Sequence, residues 1–303
     1  MTIRFLAGLS VLLAAGILAA GIVTSQEAAT DQSLEVSPPV SEISAEPGEV
    51  KTITTTIRNK GTYPVPITVR VDDFVAEGEE GQVALMEAGA GSVSVFTTVE
   101  PESFKLDAGA SREVTATIAV PKDAVGGKYG AIVFSVDAEQ KNVENTMTGI
   151  SQEVASLFLL RVGGQATEKL TITSFAVPGF SESGPIAMKL SFKNTGNVHS
   201  KPYGLVNVTD MFGQKVADIV VPPTNIFPGA TRTITVNLDK RFLVGSYTAT
   251  AAIQYGTDTQ QAINAQASFT VIPYRLLAVA AIVGFILWKG RKRVRKALKA
   301  IFK

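Results

Sequence analysis

Apolar and polar positions alternate in short runs through residues 34–272, and Gly, Pro and Asn separate the runs. A side-chain period of two marks a half-buried strand. Lys51–Arg58 is apolar at Ile53 and Ile57, and the Asn59-Lys60-Gly61 that follows reads as a turn. Val65–Phe74 places Ile67, Val69 and Val71 on one face. Arg112–Val120 and Tyr129–Val136 read as further strands, separated by Pro121 and Gly126-Gly127. Ala155–Val162 is almost continuously apolar, which predicts a strand in the middle of a sheet that closes the first domain before Gly163-Gly164. Leu170–Val177, Ala187–Phe192, Tyr203–Thr209, Lys215–Val220, Thr231–Leu238, Ser246–Tyr255 and Gln266–Ile272 follow. Seven short strands in about 110 residues is the pattern of a sandwich. The expected fold class is all-β: two tandem immunoglobulin-like β-sandwiches, at residues 31–163 and 165–270.

The two halves resemble each other. Gly109-Ala110-Ser111-Arg112, Thr115 and Gly127-Lys128-Tyr129 compare with Gly229-Ala230-Thr231-Arg232, Thr235 and Gly245-Ser246-Tyr247. Asn59-Lys60-Gly61 compares with Asn194-Thr195-Gly196. A Gly before an edge strand supplies a turn, and a Tyr near a later strand can hydrogen-bond at a corner. The matches therefore predict shared architecture rather than a shared active site.

The pattern changes at both ends. After Met1–Arg4, the run Phe5–Val23 is apolar with small residues and gives way to polar residues at Thr24. This predicts a secretory signal peptide over 1–25, with cleavage after Gly21 or Ser25 as the possibilities and an uncleaved anchor as the alternative. At the other end, Leu276–Trp288 is apolar and is followed at once by Lys289, Arg291, Lys292, Arg293, Arg295 and Lys296. Counted from Val271, the stretch has eighteen residues with Arg275 near one end, which predicts a transmembrane helix over 271–288 and a basic cytoplasmic tail over 289–303.

Charge supports that reading. All 27 acids lie between Glu27 and Asp258, where they meet 18 of the 28 basic residues, a net charge of −9. The last fifteen residues hold eight Lys or Arg and no acid. The segregation predicts a single-pass cell-membrane protein with an extracytoplasmic ectodomain, its basic tail inside. Val294, Leu298 and Ile301 recur at helical spacing, so the tail can lie on an anionic leaflet, and stop-transfer explains its charges without nucleic acid.

Candidate chemistry is sparse. The chain has no cysteine, which excludes disulfides, thiolate metal sites and cysteine nucleophiles. It has one histidine, His199, which reads as a solvated loop residue, and one His with no Cys argues against zinc. Asp72 and Asp73 are adjacent, so on a strand they point to opposite faces and cannot act together on one substrate. Asp72, Asp73, Glu77, Glu79 and Glu80 match no calcium-loop spacing and read as solvated charge. Asn207-Val208-Thr209 is a glycosylation sequon inside an expected strand. No Gly-x-Ser-x-Gly elbow or phosphate-cradling loop is present. No catalytic, cofactor or metal site is expected.

Pro47-Gly48 before a strand, Asn59-Lys60-Gly61 and Gly127-Lys128-Tyr129-Gly130-Ala131-Ile132-Val133-Phe134 resemble the first domain of the WxL-interacting proteins of bacterial surfaces. Phe192-Lys193-Asn194-Thr195-Gly196-Asn197-Val198-His199 and Gly245-Ser246-Tyr247 resemble their second domain. Residues 77–91, rich in Gly, Ala and Glu, depart from the family's pattern. Pilus chaperones share the first fold and are a weaker match. The resemblance implies a first domain associated with peptidoglycan and a second associated with a secreted surface protein. The expected function is therefore a membrane-anchored cell-surface binding protein that contacts a cell-wall polymer or secreted protein, with loops 76–95 and 137–152 as candidate contacts. The alternative is a membrane-held chaperone or assembly factor for exported proteins, which requires an exposed apolar groove or strand edge. A surface hydrolase is the third reading.

Overall fold

A computed structural model describes residues 33–301 apart from Glu87, Ala90, 137–151 and Asp258, with side chains from residue 292 onward left undescribed. The expected signal peptide and nearly all of the 137–152 segment lie outside the described residues.

The first sandwich contains β1 (Leu34–Ser37), β2 (Val40–Ala45), β3 (Val50–Asn59), β4 (Val65–Glu77), β5 (Gln82–Met86), β6 (Thr97–Glu100), β7 (Ser103–Leu106), β8 (Ser111–Ala119), β9 (Gly126–Val136) and β10 (Gln152–Val162). One sheet has the order β1-β3-β8-β6, and the other β2-β10-β9-β4-β5 with β7 also on β4. Between the sheets, Ile57, Val114, Ala116 and Ile118 pack against Ile67, Ile132, Phe134, Phe158 and Leu160. The chain changes sheets between β1 and β2, where Ser156 Oγ donates to Pro38 O at 2.7 Å and Leu157 N to Pro39 O at 2.9 Å. β10 then runs parallel to β2 and antiparallel to β9.

The second sandwich contains β11 (Leu170–Ala176), β12 (Phe180–Ser181), β13 (Ile186–Asn194), β14 (Tyr203–Asp210), β15 (Lys215–Val221), β16 (Thr231–Leu238), β17 (Gly245–Tyr255) and β18 (Gln261–Val271). Its sheets have the orders β11-β13-β16 and β12-β18-β17-β14-β15. Met188, Leu190, Phe192, Ala249, Ala251 and Phe269 fill its core. The expected all-β fold of two immunoglobulin-like sandwiches is thus the one observed.

The internal likeness resolves into one repeated hydrogen-bond device. Asn59 is fully buried; its Nδ2 donates to Tyr63 O at 2.8 Å and Leu106 O at 3.2 Å, and its Oδ1 accepts Gly61 N at 2.9 Å. Asn194 is also fully buried and donates to Val198 O and Ile226 O, both at 2.8 Å, while accepting Gly196 N at 2.8 Å. Gly109 N donates to Asn59 O and Gly229 N to Asn194 O, both at 2.9 Å. Each asparagine ties a carbonyl of its own turn to a carbonyl of a segment about thirty to fifty residues further on. Tyr247 supplies the expected corner, donating from its hydroxyl to Val244 O at 3.1 Å and accepting Val244 N at 3.0 Å.

The C-terminal element corrects the expected localisation. Helix α1 (Tyr274–Ile301) begins only after Val271 has closed β18 and Pro273 has broken the chain direction. Its uninterrupted apolar stretch is Leu276–Trp288, about 20 Å at ~1.5 Å per residue, against a hydrocarbon core of about 30 Å. Arg275 precedes the stretch, and Lys289 and Arg291 follow it. Among the described residues no helix is long and apolar enough to cross a membrane, which overturns the expected single-pass topology with an outward ectodomain and inward tail.

Candidate functional site

The apolar run at the end of the first domain is explained by what lies on each side of it. Phe158, Leu160 and Val162 enter the sandwich core, whereas Leu159 and, less buried, Ala155 and Leu157 face outward. Ala131 and Val133 of β9 share that outer face, as do Phe74 and Ala76 of β4 and Val83 of β5. A strand whose two faces are both apolar loses its alternation. The second domain covers one end of this face with Phe227, which is 9% exposed.

An aromatic cluster forms the joint. The Phe227 ring meets Phe74 edge-on at 5.4 Å and Tyr129 at 4.8 Å, and Tyr129 meets His199 at 5.7 Å. Such tilted pairs add about 0.5–1.5 kcal/mol each beyond the area they bury. Around the cluster lies a cleft of about 640 Å³, with Val75, Gly127, Asn197 and Pro228 among its lining residues. Beyond the cleft the outer face continues to Leu85, 43% exposed, and ends at the pair formed by Arg70 and Glu153 at 3.0 and 3.2 Å. The exposed end of this groove is therefore rimmed by charge, and its middle is apolar.

Polar contacts fix the angle between the domains. Gly127 N donates to Asn197 O at 2.7 Å. Gly126 holds φ at +73°, and a Cβ there would stand 2.8 Å from Asn197 O, so both the backbone conformation and the domain approach require glycine. Glu42 accepts from Lys201 Nζ at 2.9 Å and Asn225 Nδ2 at 2.8 Å. The tip between β4 and β5 crosses to the second domain, where Thr233 N donates to Glu79 O at 2.9 Å and the Arg232 guanidinium covers Gly81. Much of the 76–95 segment is therefore a hairpin used as a strut, with Glu79 exposed but in contact with Thr233. At the linker, Arg161 Nη1 donates to Glu168 Oε1 at 2.5 Å, with side chains only 11% and 7% exposed. The same Glu168 oxygen accepts Thr257 N at 3.0 Å.

The residues considered for chemistry are scattered. Asp73 accepts Val93 N at 3.2 Å and Ser94 N at 2.9 Å, holding the short 3-10 turn Val93–Phe96, while Asp72 accepts Arg70 Nε at 2.9 Å on the other face. Their expected divergence is observed. Among the described residues, no group of three or more His, Asp or Glu is placed to hold a metal ion.

His199 differs from the expected solvated histidine. The turn held by Asn194 folds it under Tyr129, where its Nδ1 is buried without a hydrogen-bond partner among the described residues. Burial pushes its pKa down, partly opposed by Glu42. Burial pushes the Tyr129 phenol up, partly opposed by the His199 backbone against its hydroxyl. For His199 the folded pKa is below the unfolded one, so the folded state binds fewer protons. Stability is then expected to fall as pH drops from about 6.5 through the lowered folded pKa. Melting temperatures at pH 7.5 and pH 5.5 should differ less in His199→Asn than in the parent chain. An equal difference would remove His199 as the cause.

Sequence reasoning missed Phe74, Tyr129, Phe227, Arg161 and Glu168 as a group. The one signal available was the loss of alternation in Ala131–Phe134 and Ala155–Val162, which marks a second covered face.

No family model matches the sequence, and no curated protein matches it. Solved structures match at low identity. A chaperone–tip adhesin complex of CFA/I fimbriae biogenesis is similar at 14% identity and TM-score 0.40, covering 77% of this chain and 98% of that chain. The class 5 fimbriae chaperone CfaA is similar at 12% identity and TM-score 0.39, covering 79% and 100%. The CsuC–CsuE chaperone–tip adhesion subunit pre-assembly complex of Acinetobacter baumannii is similar at 13% identity and TM-score 0.37, covering 77% and 97%.

Proposed function

We propose that this protein is a non-catalytic assembly factor or chaperone that holds an extended apolar segment of an exported polypeptide. The observation that carries this reading is the outer face of the β2-β10-β9-β4-β5 sheet. Its apolar surface runs past the cover supplied by Phe227 to Leu157, Val83 and the exposed Leu85. Beside it, Gln152–Ser156 of β10 pairs with β9 but lies beyond the reach of β2, whose register begins at Leu157. A strand edge that no described strand pairs with, beside an apolar groove, is the geometry that accepts an added strand, the backbone giving affinity and the groove selecting side chains. The surface supplies recognition without groups placed for bond-breaking.

A photo-crosslinking residue at Leu85, introduced into the full chain in producing cells, should capture an exported polypeptide. The same residue at Val220, exposed on the far edge of the second domain, should not. Arg substituted for Leu157 should diminish capture at Leu85 several-fold without altering the circular dichroism. Capture of wall polymer instead, or equal capture at both positions, would replace this reading with the surface-binding one.

A further inference from the structure

Strand β18 pairs with β17 along its whole length, from Gln261 to Val271, with no shift in register. On its other side β12 reaches only Thr270 and Val271. Among the described residues, Gln261–Phe269 is therefore a sheet edge of nine residues with no strand paired to it. Two hydrogen bonds fix which groups that edge offers. Thr270 N donates to Gly179 O and Ile272 N to Ser181 O, both at 3.0 Å. Backbone groups of successive strand residues point to opposite sides, so Ala262, Asn264, Gln266 and Ser268 present their N–H and C=O outward.

The usual protections of an edge are missing. Between Thr259 and Ile272 there is no charged residue and no proline, and the strand has no bulge. Other edges carry such protection: Glu35 on β1, Glu42 on β2, Glu100 on β6, Lys215 and Asp218 on β15, Arg232 on β16, and a register shift in β11. We propose that β18 pairs antiparallel with β18 of a second copy of this chain, about a two-fold axis at Ala265, joining two five-stranded sheets into one.

The residues fit that register and its symmetry. Ala262 meets the copy's Ser268, and Asn264 meets the copy's Gln266. These are the residues with outward backbone groups, so the four pairs exchange about eight hydrogen bonds. On the exposed face, the Asn264 and Gln266 amides lie opposite each other, and each can donate and accept. On the core face, Ile263 meets Ala267, large against small, and Ala265 meets itself at the axis. A two-fold contact places a charge beside the axis near its own copy, and an uncharged edge avoids that repulsion. This inference does not depend on the groove of the first domain.

The chain has no cysteine, so Ala265→Cys introduces a single thiol. In this register Ala265 forms a non-hydrogen-bonded pair with itself, with Cα atoms about 4.5 Å apart, inside the range a disulfide spans. The purified full chain in mild detergent should sediment as a dimer, and Ala265→Cys should convert most of it to a disulfide-linked dimer under mild oxidation. Val220→Cys, on the opposite edge, should remain a monomer on non-reducing gels. Gln266→Pro removes one outward N–H and should abolish the Ala265→Cys cross-link. The double variant Asn264→Lys with Gln266→Lys keeps every N–H, places like charges opposite one another, and should weaken the dimer at least tenfold. A parent chain that sediments as a monomer would overturn the proposal. So would a dimer in which the thiol introduced by Ala265→Cys stays reduced, or one that the double lysine variant leaves unchanged.

Discussion

Replacing Asn194 with alanine is expected to cost about 3–5 kcal/mol of stability in the second sandwich, among the largest effects of any single polar substitution in the chain. The side chain is fully buried and serves three backbone groups: the carbonyls of Val198 and Ile226 and the N–H of Gly196. Alanine takes the side-chain partner from Val198 O and Gly196 N in a space that methyl cannot fill, and leaves Ile226 O with the Ser200 N–H alone, at 3.0 Å. Each lost bond is worth about 1 kcal/mol net, but a buried orphan costs about 1–3 kcal/mol, so the second figure sets the outcome. Asn194→Asp should be no better, because an acid keeps the acceptor for Gly196 but replaces the one nitrogen that makes both donations with an oxygen facing two carbonyl oxygens. Asn59→Ala should act in the first sandwich in the same way. Its cost should be smaller, about 2–4 kcal/mol, because one of its partners, Tyr63 O, lies in a part-buried setting. Hydrogen exchange resolves the two cases: protection should fall in β13 and β16 for Asn194→Ala and in β3 and β8 for Asn59→Ala. Loss of protection in both sandwiches with either variant would mean that the domains unfold as one unit.

These asparagines also show how far local pattern reaches. The matching Asn-x-Gly and Gly-Ala segments are visible in the sequence because each device is built within one domain from a turn and a loop. The strands were legible for the same reason, since alternation reports which face is covered. Where a second body covers the other face, the local signal weakens. Tyr129 and Phe227 lie far apart in the chain, and nothing near either residue announces the other. Residues 77–91 carry Gly and Glu that read as loop, yet Val75 pairs with Ala84 and the tip is held by Thr233 of the second domain. His199 reads as solvated because a polar turn precedes it, and that turn is what folds it under Tyr129. β18 begins at Gln261 rather than Gln266 because β17 continues to Tyr255 and recruits a weakly patterned partner. At the C-terminus, hydropathy alone merges Val271 and Ile272 with the helix, whereas hydrogen bonding assigns Val271 to a strand.

Glu168→Ala is the second large expected effect, about 3–5 kcal/mol, because it strips a buried guanidinium of a carboxylate partner. Glu168 joins three parts of the chain: Arg161 near the end of β10, its own linker, and Thr257 in the turn before β18. The attraction between the two charges only roughly repays the water they gave up, so the intact pair adds little by itself. The damage comes from leaving one member in place. Three variants separate these statements. Glu168→Gln still presents a carbonyl oxygen to Thr257 N and Arg161 and should cost roughly half as much as alanine. Arg161→Met combined with Glu168→Leu removes both charges and should recover much of the loss, with the unpaired Thr257 N–H and the loss of Arg161's other contact among the residual costs. Because the site bridges the two sandwiches, Glu168→Ala should also widen the separation between their urea unfolding transitions. If the double substitution proved as damaging as Glu168→Ala alone, the pair's own attraction would be the stabilising term, and the desolvation argument would fail.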